Sequence, residues 1–170
     1  NDHPHTLEDI GRLGGLLSKM GEHAEAQPLL EEALAGLRLT LGDEDRTTLD
    51  NMSRLATEHD RLGAAAKARL LLEEVVLGFR RTHPVAPNTF TAIGNLGEVL
   101  FQAGDSTAAL ALREEAAASA LRELGPEHPC TQRLTDLLDK MRRFAVAQHY
   151  PSGTRAVGSL VGLASKPELN

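Results

Sequence analysis

The stretch from Gly21 to Leu34 reads G-E-H-A-E-A-Q-P-L-L-E-E-A-L, and the chain repeats its pattern twice. The pattern returns as G-A-A-A-K-A-R-L-L-L-E-E-V-V from Gly63 and as G-D-S-T-A-A-L-A-L-R-E-E-A-A from Gly104. The three glycines stand 42 and then 41 residues apart, and an alanine follows each glycine five places later. A period of this size indicates stacked structural repeats. The stretch therefore predicts an all-α solenoid of antiparallel helix pairs, with about three complete repeats and a C-terminal capping helix.

The composition of the 170-residue chain is typical of a helical, soluble protein, with 41% hydrophobic, 25% charged and 3% aromatic residues. A solenoid spreads its core along its length as contacts between neighbouring repeats, so we expect one elongated domain. The formal net charge of −6 argues against nucleic acid as a partner, since phosphate binding needs a concentrated basic surface. We expect no membrane insertion, because no apolar run approaches the roughly 18 to 20 residues that span a bilayer.

The repeats divide the chain into a repeat domain over residues 1–147 and a tail over residues 148–170. We place the repeats at about 3–42, 45–82 and 86–125, with a partial fourth repeat at 128–147. The opening N-D-H-P-H-T resembles the second half of the later junction L-G-P-E-H-P-C-T, which begins at Leu124. We therefore expect at least one further repeat ahead of residue 1, in a larger chain or complex. Pro151-Ser152-Gly153 excludes a regular second helix in the fourth repeat, so the tail carries a short helix at most.

The first helix of repeat one has two plausible starts. Either His3 caps it with Pro4 at the first helical position, or Thr6 caps it with Asp9 three residues on. Gly21 is expected to end the helix in a left-handed conformation. The helix carries an apolar stripe at helical spacing, and its members are Ile10, Leu13, Leu16, Leu17 and Met20.

Small residues recur where the two helices of a repeat are expected to cross, which lets the helix axes approach closely. Gly14, Ala56 and Gly97 on the first helices face Ala26, Ala68 and Ala109 on the second helices. Together with Leu13, Leu17, Gly21, Leu30 and Ala33 and their counterparts, these positions resemble the tetratricopeptide repeat signature. The longer period and the L-G-P-E-H-P-C-T junction resemble the kinesin-light-chain type of that repeat.

The resemblance implies a non-catalytic scaffold or adaptor that binds a peptide or protein segment in a concave groove lined by the first helices. In this family an Asn before Leu-Gly often hydrogen-bonds the backbone of a bound peptide. Only the third repeat keeps this Asn, as Asn95, and the other repeats have Arg12, Arg54 and Leu137 at the equivalent positions. The clamp for a chaperone's C-terminal carboxylate needs basic and Asn side chains where this chain has Gly11 and Gly15, so that function is not expected.

The groove assignment gives a mildly basic surface in an acidic protein, and we therefore hypothesise an acidic partner segment. Solvation alone is the competing explanation for each charged residue. A second functional hypothesis is a structural subunit fixed inside a large multiprotein assembly. The groove residues expected from the first helices are Arg12, Lys19, Arg54, Arg61, Asn95, Gln102, Arg133, Lys140 and Arg143, set against Glu8, Asp50, Asp60, Glu98 and Asp136.

We expect no enzyme activity, cofactor or metal site. His3 and His5 lack a third ligand at a suitable spacing. His59 falls where the repeat places a buried aromatic or Leu, so a core histidine is expected. Cys130 is expected on a loop, without a basic neighbour that would lower its pKa. As the only cysteine it excludes an internal disulfide framework and is compatible with a cytoplasmic, intracellular location.

Overall fold

The computed structural model describes the backbone of residues 3–149 and the side chains of residues 3–144. This part of the chain consists of seven α-helices and contains no strand, which confirms the all-α solenoid. The helices are α1 (Pro4–Met20), α2 (His23–Leu41), α3 (Arg46–Arg61), α4 (Ala65–Thr82), α5 (Pro87–Gln102), α6 (Ser106–Leu124) and α7 (Pro129–His149). None of these helices is both long enough and apolar enough to cross a bilayer.

The helices form two layers, and the odd-numbered helices are the inner layer. Each helix packs against its neighbours along the chain, and α1, α3, α5 and α7 also contact one another in succession. Within the described residues, α2, α4 and α6 have no comparable contacts among themselves. The odd-numbered helices therefore lie on the side of the array where successive repeats contact one another, which is the side that the family resemblance assigns to a concave groove.

Histidine side chains start two of the inner helices. His3 caps α1, and its Nδ1 accepts a hydrogen bond from the His5 backbone N–H at 3.4 Å. His128 Nδ1 accepts the equivalent bond from the Cys130 N–H at 3.1 Å ahead of α7. The His-Pro start is therefore correct for α1, and Thr6 lies inside the helix. The repetition of this histidine is explained by capping.

The predicted turn glycines separate the two helices of each repeat. Gly21, Gly63 and Gly104 have φ angles of 89°, 74° and 89°. This left-handed conformation costs other residues about 1 to 2 kcal/mol, which explains why glycine stands at all three positions.

The predicted helix crossings are confirmed. A Cβ on Gly14 would lie 3.1 Å from the Ala26 carbonyl oxygen and 2.9 Å from Leu30 Cγ. A Cβ on Gly97 would lie 3.2 Å from the Ala109 carbonyl oxygen. Since Ala26 and Ala109 are completely buried, neither crossing has room for a larger side chain.

The apolar stripe predicted on α1 is not its buried face. The buried residues of α1 are Leu7, Gly11, Gly14 and Ser18. Leu13, Leu16 and Met20 are exposed. The reason is that α3, α5 and α7 each pack against the second helix of the repeat before them, whereas no described helix lies ahead of α1.

The last helix has a polar outer face. In α7 the positions equivalent to the buried face of α1 carry side chains that are all exposed. They are Gln132, Asp136, Asp139 and Arg143. A polar face of this kind is expected of a helix that caps a solenoid. Residues 148 and 149 belong to α7, and the rest of the predicted tail, residues 150–170, lies outside the described residues.

Candidate functional site

The inner groove is the concave surface formed by one side of α1, α3, α5 and α7. Equivalent positions on the four helices form three rows along the array. The rows are Arg12, Arg54, Asn95 and Leu137; Gly15, Thr57, Glu98 and Lys140; and Lys19, Arg61, Gln102 and Phe144. The register of the repeat therefore decides which side chains lie next to one another.

Four of the predicted groove residues surround one cavity of about 380 Å³ between α1 and α3. We call it the cationic cavity, and it is lined by Arg12, Gly15, Leu16, Ser18, Lys19, Arg54, Thr57 and Arg61. One face of α1 and the facing side of α3 line the cavity. The two helices thus bring together four cationic side chains from two repeats.

Two small residues of α1 explain how this cavity forms. A Cβ on Gly15 would lie 3.1 Å from Arg54 Cδ, so the glycine allows the arginine stem to pack across α1. Ser18 Oγ accepts a hydrogen bond from Arg61 Nη1. The serine therefore holds the guanidinium of Arg61 at the cavity. Sequence reasoning missed Ser18 and Leu16, although both lie within four residues of Arg12 or Lys19 on the same helix.

Of the four cations at the cationic cavity, only Arg12 has a carboxylate oxygen within 4 Å among the described residues. Arg12 Nη2 lies 2.9 Å from Glu8 Oε1, and Arg12 also lies 3.7 Å from Asp9. Lys19, Arg54 and Arg61 have no carboxylate oxygen within 4 Å among the described residues. The cavity therefore offers three cationic groups that can pair with an incoming anion.

Asp50 and Glu98, two of the three carboxylates predicted in the middle of the groove, are held by neighbouring side chains. Asp50 accepts a hydrogen bond from Asn88 Nδ2 at 2.6 Å, and burial raises the pKa of Asp50. Burial, and then the nearby charge of Glu98, raise the pKa of Asp60. Glu98 itself pairs with Arg113 of α6 and accepts a bond from Gln102 Nε2 at 3.2 Å. This part of the groove is less suited to an acidic partner.

Arg113 is a buried cation that sequence reasoning did not identify. It occupies the position of Leu30 and Leu72 in the other repeats. Burial lowers the pKa of its guanidinium, and Glu98 opposes that effect. Arg113 Nε has no hydrogen-bond partner among the described residues. The Glu98 carboxylate therefore satisfies only part of the hydrogen-bonding capacity of the buried guanidinium.

The groove ends in a second, more apolar cavity of about 280 Å³ between α5 and α7. We call it the aromatic cavity, and it is lined by Glu98, Phe101, Leu137, Lys140, Met141 and Phe144. The Phe101 and Phe144 rings meet edge to face, with centroids 5.4 Å apart. Of the predicted groove residues, this cavity takes in only Glu98 and Lys140.

The remaining predicted residues lie outside the two cavities. Asn95 is half-buried between them, and its side chain forms no hydrogen bond within residues 3–144. Arg133 Nη2 donates to Thr91 Oγ1 at 2.8 Å. Arg143 and Asp136 lie on the polar outer face of α7.

The other reactive side chains have structural positions. His59 is buried, and burial lowers its pKa, as expected of a core histidine. Cys130 lies in the first turn of α7 and is buried, so the predicted loop position is wrong. Its Sγ lies 3.6 Å from the Pro87 carbonyl oxygen. The His-Pro start of α7 places Cys130 in the helix.

Sequence profiles of the tetratricopeptide repeat match residues 6–76 and 89–129. Among solved structures, the chain is similar to the nearly identical TPR-like repeats of a Podosopora anserina protein described as a kinesin light chain. That match has a TM-score of 0.76 and 25% identity, and it covers 88% of this chain and 72% of that chain. A variant of those repeats matches with a TM-score of 0.69 and 24% identity, over 88% and 78%.

The structure of BtubC (BKLC) from P. vanneervenii is also similar, with a TM-score of 0.64 and 19% identity. That match covers 98% of this chain and 74% of that chain. The likeness to BtubC concerns the fold alone. No curated protein sequence matches the chain.

Proposed function

Because the chain belongs to the tetratricopeptide repeat family, with repeats of the kinesin-light-chain type, we propose that it binds an acidic protein segment along its inner groove. One observation carries the proposal: Lys19, Arg54 and Arg61 surround one cavity without a carboxylate partner among the described residues. Cations of this kind attract an anionic partner and fix its position.

The two cavities suggest an order for the side chains of the partner. Its carboxylates occupy the cationic cavity, and an apolar side chain packs against Phe101 and Phe144 in the aromatic cavity. The cavities are two repeats apart, which corresponds to about 16 to 20 Å at ordinary helix spacings. An extended segment covers that distance in about five or six residues. Asn95 lies between the cavities, and its amide, which forms no hydrogen bond within residues 3–144, can bond the partner's backbone.

The proposal is tested with a labelled 12-residue peptide that carries two adjacent Asp residues and, six residues later, a Phe. Fluorescence anisotropy measures its dissociation constant for the full chain and for Arg54→Glu/Arg61→Glu. The double reversal should weaken binding by about tenfold or more, because it places two carboxylates at the cavity. A matched control is Lys67→Glu/Arg143→Glu, which changes the net charge equally at exposed positions outside the groove.

The control variant should bind the peptide as the unchanged chain does. Equal weakening in both variants would mean that net charge alone attracts the peptide. Unchanged binding in Arg54→Glu/Arg61→Glu would refute the proposed site.

We further propose that the chain is a non-catalytic, cytoplasmic scaffold that does not bind nucleic acid. The non-catalytic part is supported by the structural positions of the side chains that could have served in catalysis. His59 is buried in the core, Cys130 is buried in α7, and His3 and His128 cap helices.

A structural role inside a large assembly is the second candidate function. It is favoured by the exposed apolar side chains of α1, above all Leu13 and Leu16. Under this alternative the isolated chain aggregates at moderate concentration, since a large exposed apolar surface promotes association. Light scattering of the purified chain distinguishes the two, because a free adaptor stays monodisperse.

A further inference from the structure

The four cations of the cationic cavity stand at matching positions on two helices. Arg12 and Lys19 lie seven residues apart on α1, and Arg54 and Arg61 lie seven residues apart on α3. Seven residues are almost two helical turns, so the two cations of each helix lie on the same side of it, about 10 Å apart. Neighbouring helices pack about 8 to 10 Å apart. The four side chains therefore stand at the corners of one small area.

The centre of this area carries no bulky side chain. Gly15 and Thr57 lie between the two cations of their helices, and both line the cavity. Thr57 Oγ1 is engaged by its own helix, where it donates to the Ser53 carbonyl oxygen at 2.9 Å. The cavity volume of about 380 Å³ falls within the range of about 300 to 1,000 Å³ that is usual for ligand pockets. One compact anion can therefore fill the space between the four cations.

The next interval of the groove, between α3 and α5, contains acidic side chains that the lining of the cationic cavity does not. Asp60 of α3 stands where α1 has Ser18, and Glu98 of α5 stands where α3 has a threonine. Arg61 donates to the uncharged hydroxyl of Ser18. Gln102, the equivalent of Arg61 in α5, donates to the Glu98 carboxylate at 3.2 Å. An anion bound in the cationic cavity would supply the negative charge that the chain itself supplies in the next interval.

We propose that the cationic cavity binds a phosphorylated side chain of the partner segment. This inference rests on the function proposed for the groove, and it names the anion that fits the cavity. A phosphomonoester carries a charge of about −1.5 to −2 at pH 7 and presents three acceptor oxygens on one group. The guanidinium groups of Arg54 and Arg61 suit this group, because they donate parallel pairs of hydrogen bonds to phosphate oxygens. Lys19 adds a third unpaired charge at the same cavity.

A phosphate suits this arrangement better than two neighbouring carboxylates do. Adjacent side chains of an extended segment leave the backbone on opposite sides, so the carboxylates of an Asp-Asp pair lie apart. A phosphate concentrates nearly the same charge on a single group between the four cations.

A protein segment is favoured over a lipid as the carrier of the phosphate. The formal net charge of −6 opposes the approach of the chain to an anionic bilayer. The aromatic cavity lies farther along the same groove and offers Phe101 and Phe144 to an apolar side chain of the same segment. A segment can therefore use both cavities, whereas inorganic phosphate can use only the first.

Three peptides that differ at two positions test the proposal. They are the 12-residue Asp-Asp peptide, the same peptide with phosphoserine-Ser in place of Asp-Asp, and the unphosphorylated Ser-Ser version. Fluorescence anisotropy measures the dissociation constant of each peptide for the full chain. The phosphoserine peptide should bind about tenfold or more tightly than the Asp-Asp peptide, although the two carry nearly the same charge.

The three affinities separate the two proposals. Equal binding of the phosphoserine and Asp-Asp peptides, both tighter than the Ser-Ser peptide, would overturn the phosphate site and leave the acidic-segment proposal intact. If neither binds more tightly than the Ser-Ser peptide, both proposals fail.

Two variants test which side chains hold the phosphate. Arg54→Lys/Arg61→Lys keeps the charge and removes the planar guanidinium groups, so the preference for phosphoserine over Asp-Asp should fall to about twofold or less. Thr57→Glu installs the residue of Glu98 and should weaken binding of the phosphoserine peptide by about tenfold or more, because its carboxylate competes with the phosphate. Thr40→Glu is the matched control at an exposed position of α2 and should bind as the unchanged chain does. An unchanged preference in the lysine variant would overturn the proposed site.

Other carriers of phosphate are tested by competition and sedimentation. Inorganic phosphate should displace the phosphoserine peptide only at concentrations at least about a hundredfold above the peptide's dissociation constant, because it lacks the contacts of the segment. Displacement at lower concentrations would assign the cavity to free phosphate and overturn the proposal. Phosphatidylcholine vesicles that contain phosphatidylinositol bisphosphate should not sediment the chain. Sedimentation that Thr57→Glu abolishes would assign the cavity to a lipid headgroup and would also overturn the proposal.

Discussion

The ion pair between buried Arg113 and partly exposed Glu98 allows a quantitative test of the packing beneath the groove. The Arg113 side chain is 4% exposed, and that of Glu98 is 42% exposed. A Cβ on Gly97 would lie 3.0 Å from Arg113 Cγ, as one on Gly14 would lie 2.9 Å from Leu30 Cγ. The arginine stem therefore fills the space that a leucine fills in the first repeat, and a leucine should fit there.

Glu98→Thr, which installs the residue of the equivalent position in α3, should lower the free energy of unfolding by about 1 to 3 kcal/mol. Breaking a fully buried ion pair costs about 3 to 5 kcal/mol. We take a smaller value because Glu98 is partly exposed and water can reach that end of the pair. The double variant Arg113→Leu/Glu98→Thr should be about 1 to 4 kcal/mol more stable than the unchanged chain, since it removes the desolvated charge and adds apolar burial.

Urea unfolding of the unchanged chain, both single variants and the double variant completes the cycle. The control is Glu73→Thr, because Glu73 forms an exposed pair with Arg69 at 2.7 Å. It should change stability by less than about 1 kcal/mol. The reasoning is refuted if Glu98→Thr has no more effect than this control, or if the double variant is the least stable of the set.

Two further predictions concern the core. Ala68→Leu should lower the free energy of unfolding by about 1 to 3 kcal/mol through overpacking, because Ala68 is completely buried. Ala66→Leu, at an exposed position of α4, is the control and should have little effect. Thermal unfolding compares the two variants, and equal melting temperatures would contradict the close helix crossing. Burial lowers the pKa of His59 from 6.5, so the unfolded chain binds this proton more readily and stability falls as the pH drops below about 6.5. His59→Leu, which installs the residue found at Leu17 and Leu100, should reduce this loss in urea titrations at pH 7.5 and 5.5, and an unchanged pH dependence would show that other groups cause it.

The fold could be predicted because its signals are local and repeat. The turn glycines and the small residues at the helix crossings recur at a fixed period, and each copy supports the assignment of the others. The cationic cavity followed from the same register, since Arg12 and Arg54 occupy equivalent positions and Lys19 and Arg61 do as well.

Features that depend on pairs of distant residues could not be predicted in the same way. Arg113 takes a position that carries leucine in the other repeats, and its partner Glu98 lies on another helix. The aromatic cavity requires Phe101 and Phe144, which belong to neighbouring repeats, to lie in contact. No short-range pattern connects these side chains.

The exposure of the α1 stripe shows a different limit of prediction from the sequence. Periodicity identifies apolar faces of a helix, but it does not say which neighbour covers them. Leu13 and Leu55 occupy equivalent positions in their repeats and differ tenfold in exposed fraction. The position of Cys130, in contrast, could have been predicted, because His128-Pro129 repeats the helix start at His3-Pro4.

The partner is proposed to lie along the inner groove, and amide chemical shifts test this placement most directly. The ¹⁵N-labelled chain is titrated with the 12-residue peptide that carries two adjacent Asp residues and a Phe six residues later. The largest shift changes should fall on Gly15, Lys19, Thr57 and Arg61, with smaller changes around Phe101 and Lys140, and α2 and α4 should be unaffected. Changes confined to α2 and α4, or to the polar outer face of α7, would contradict the claim.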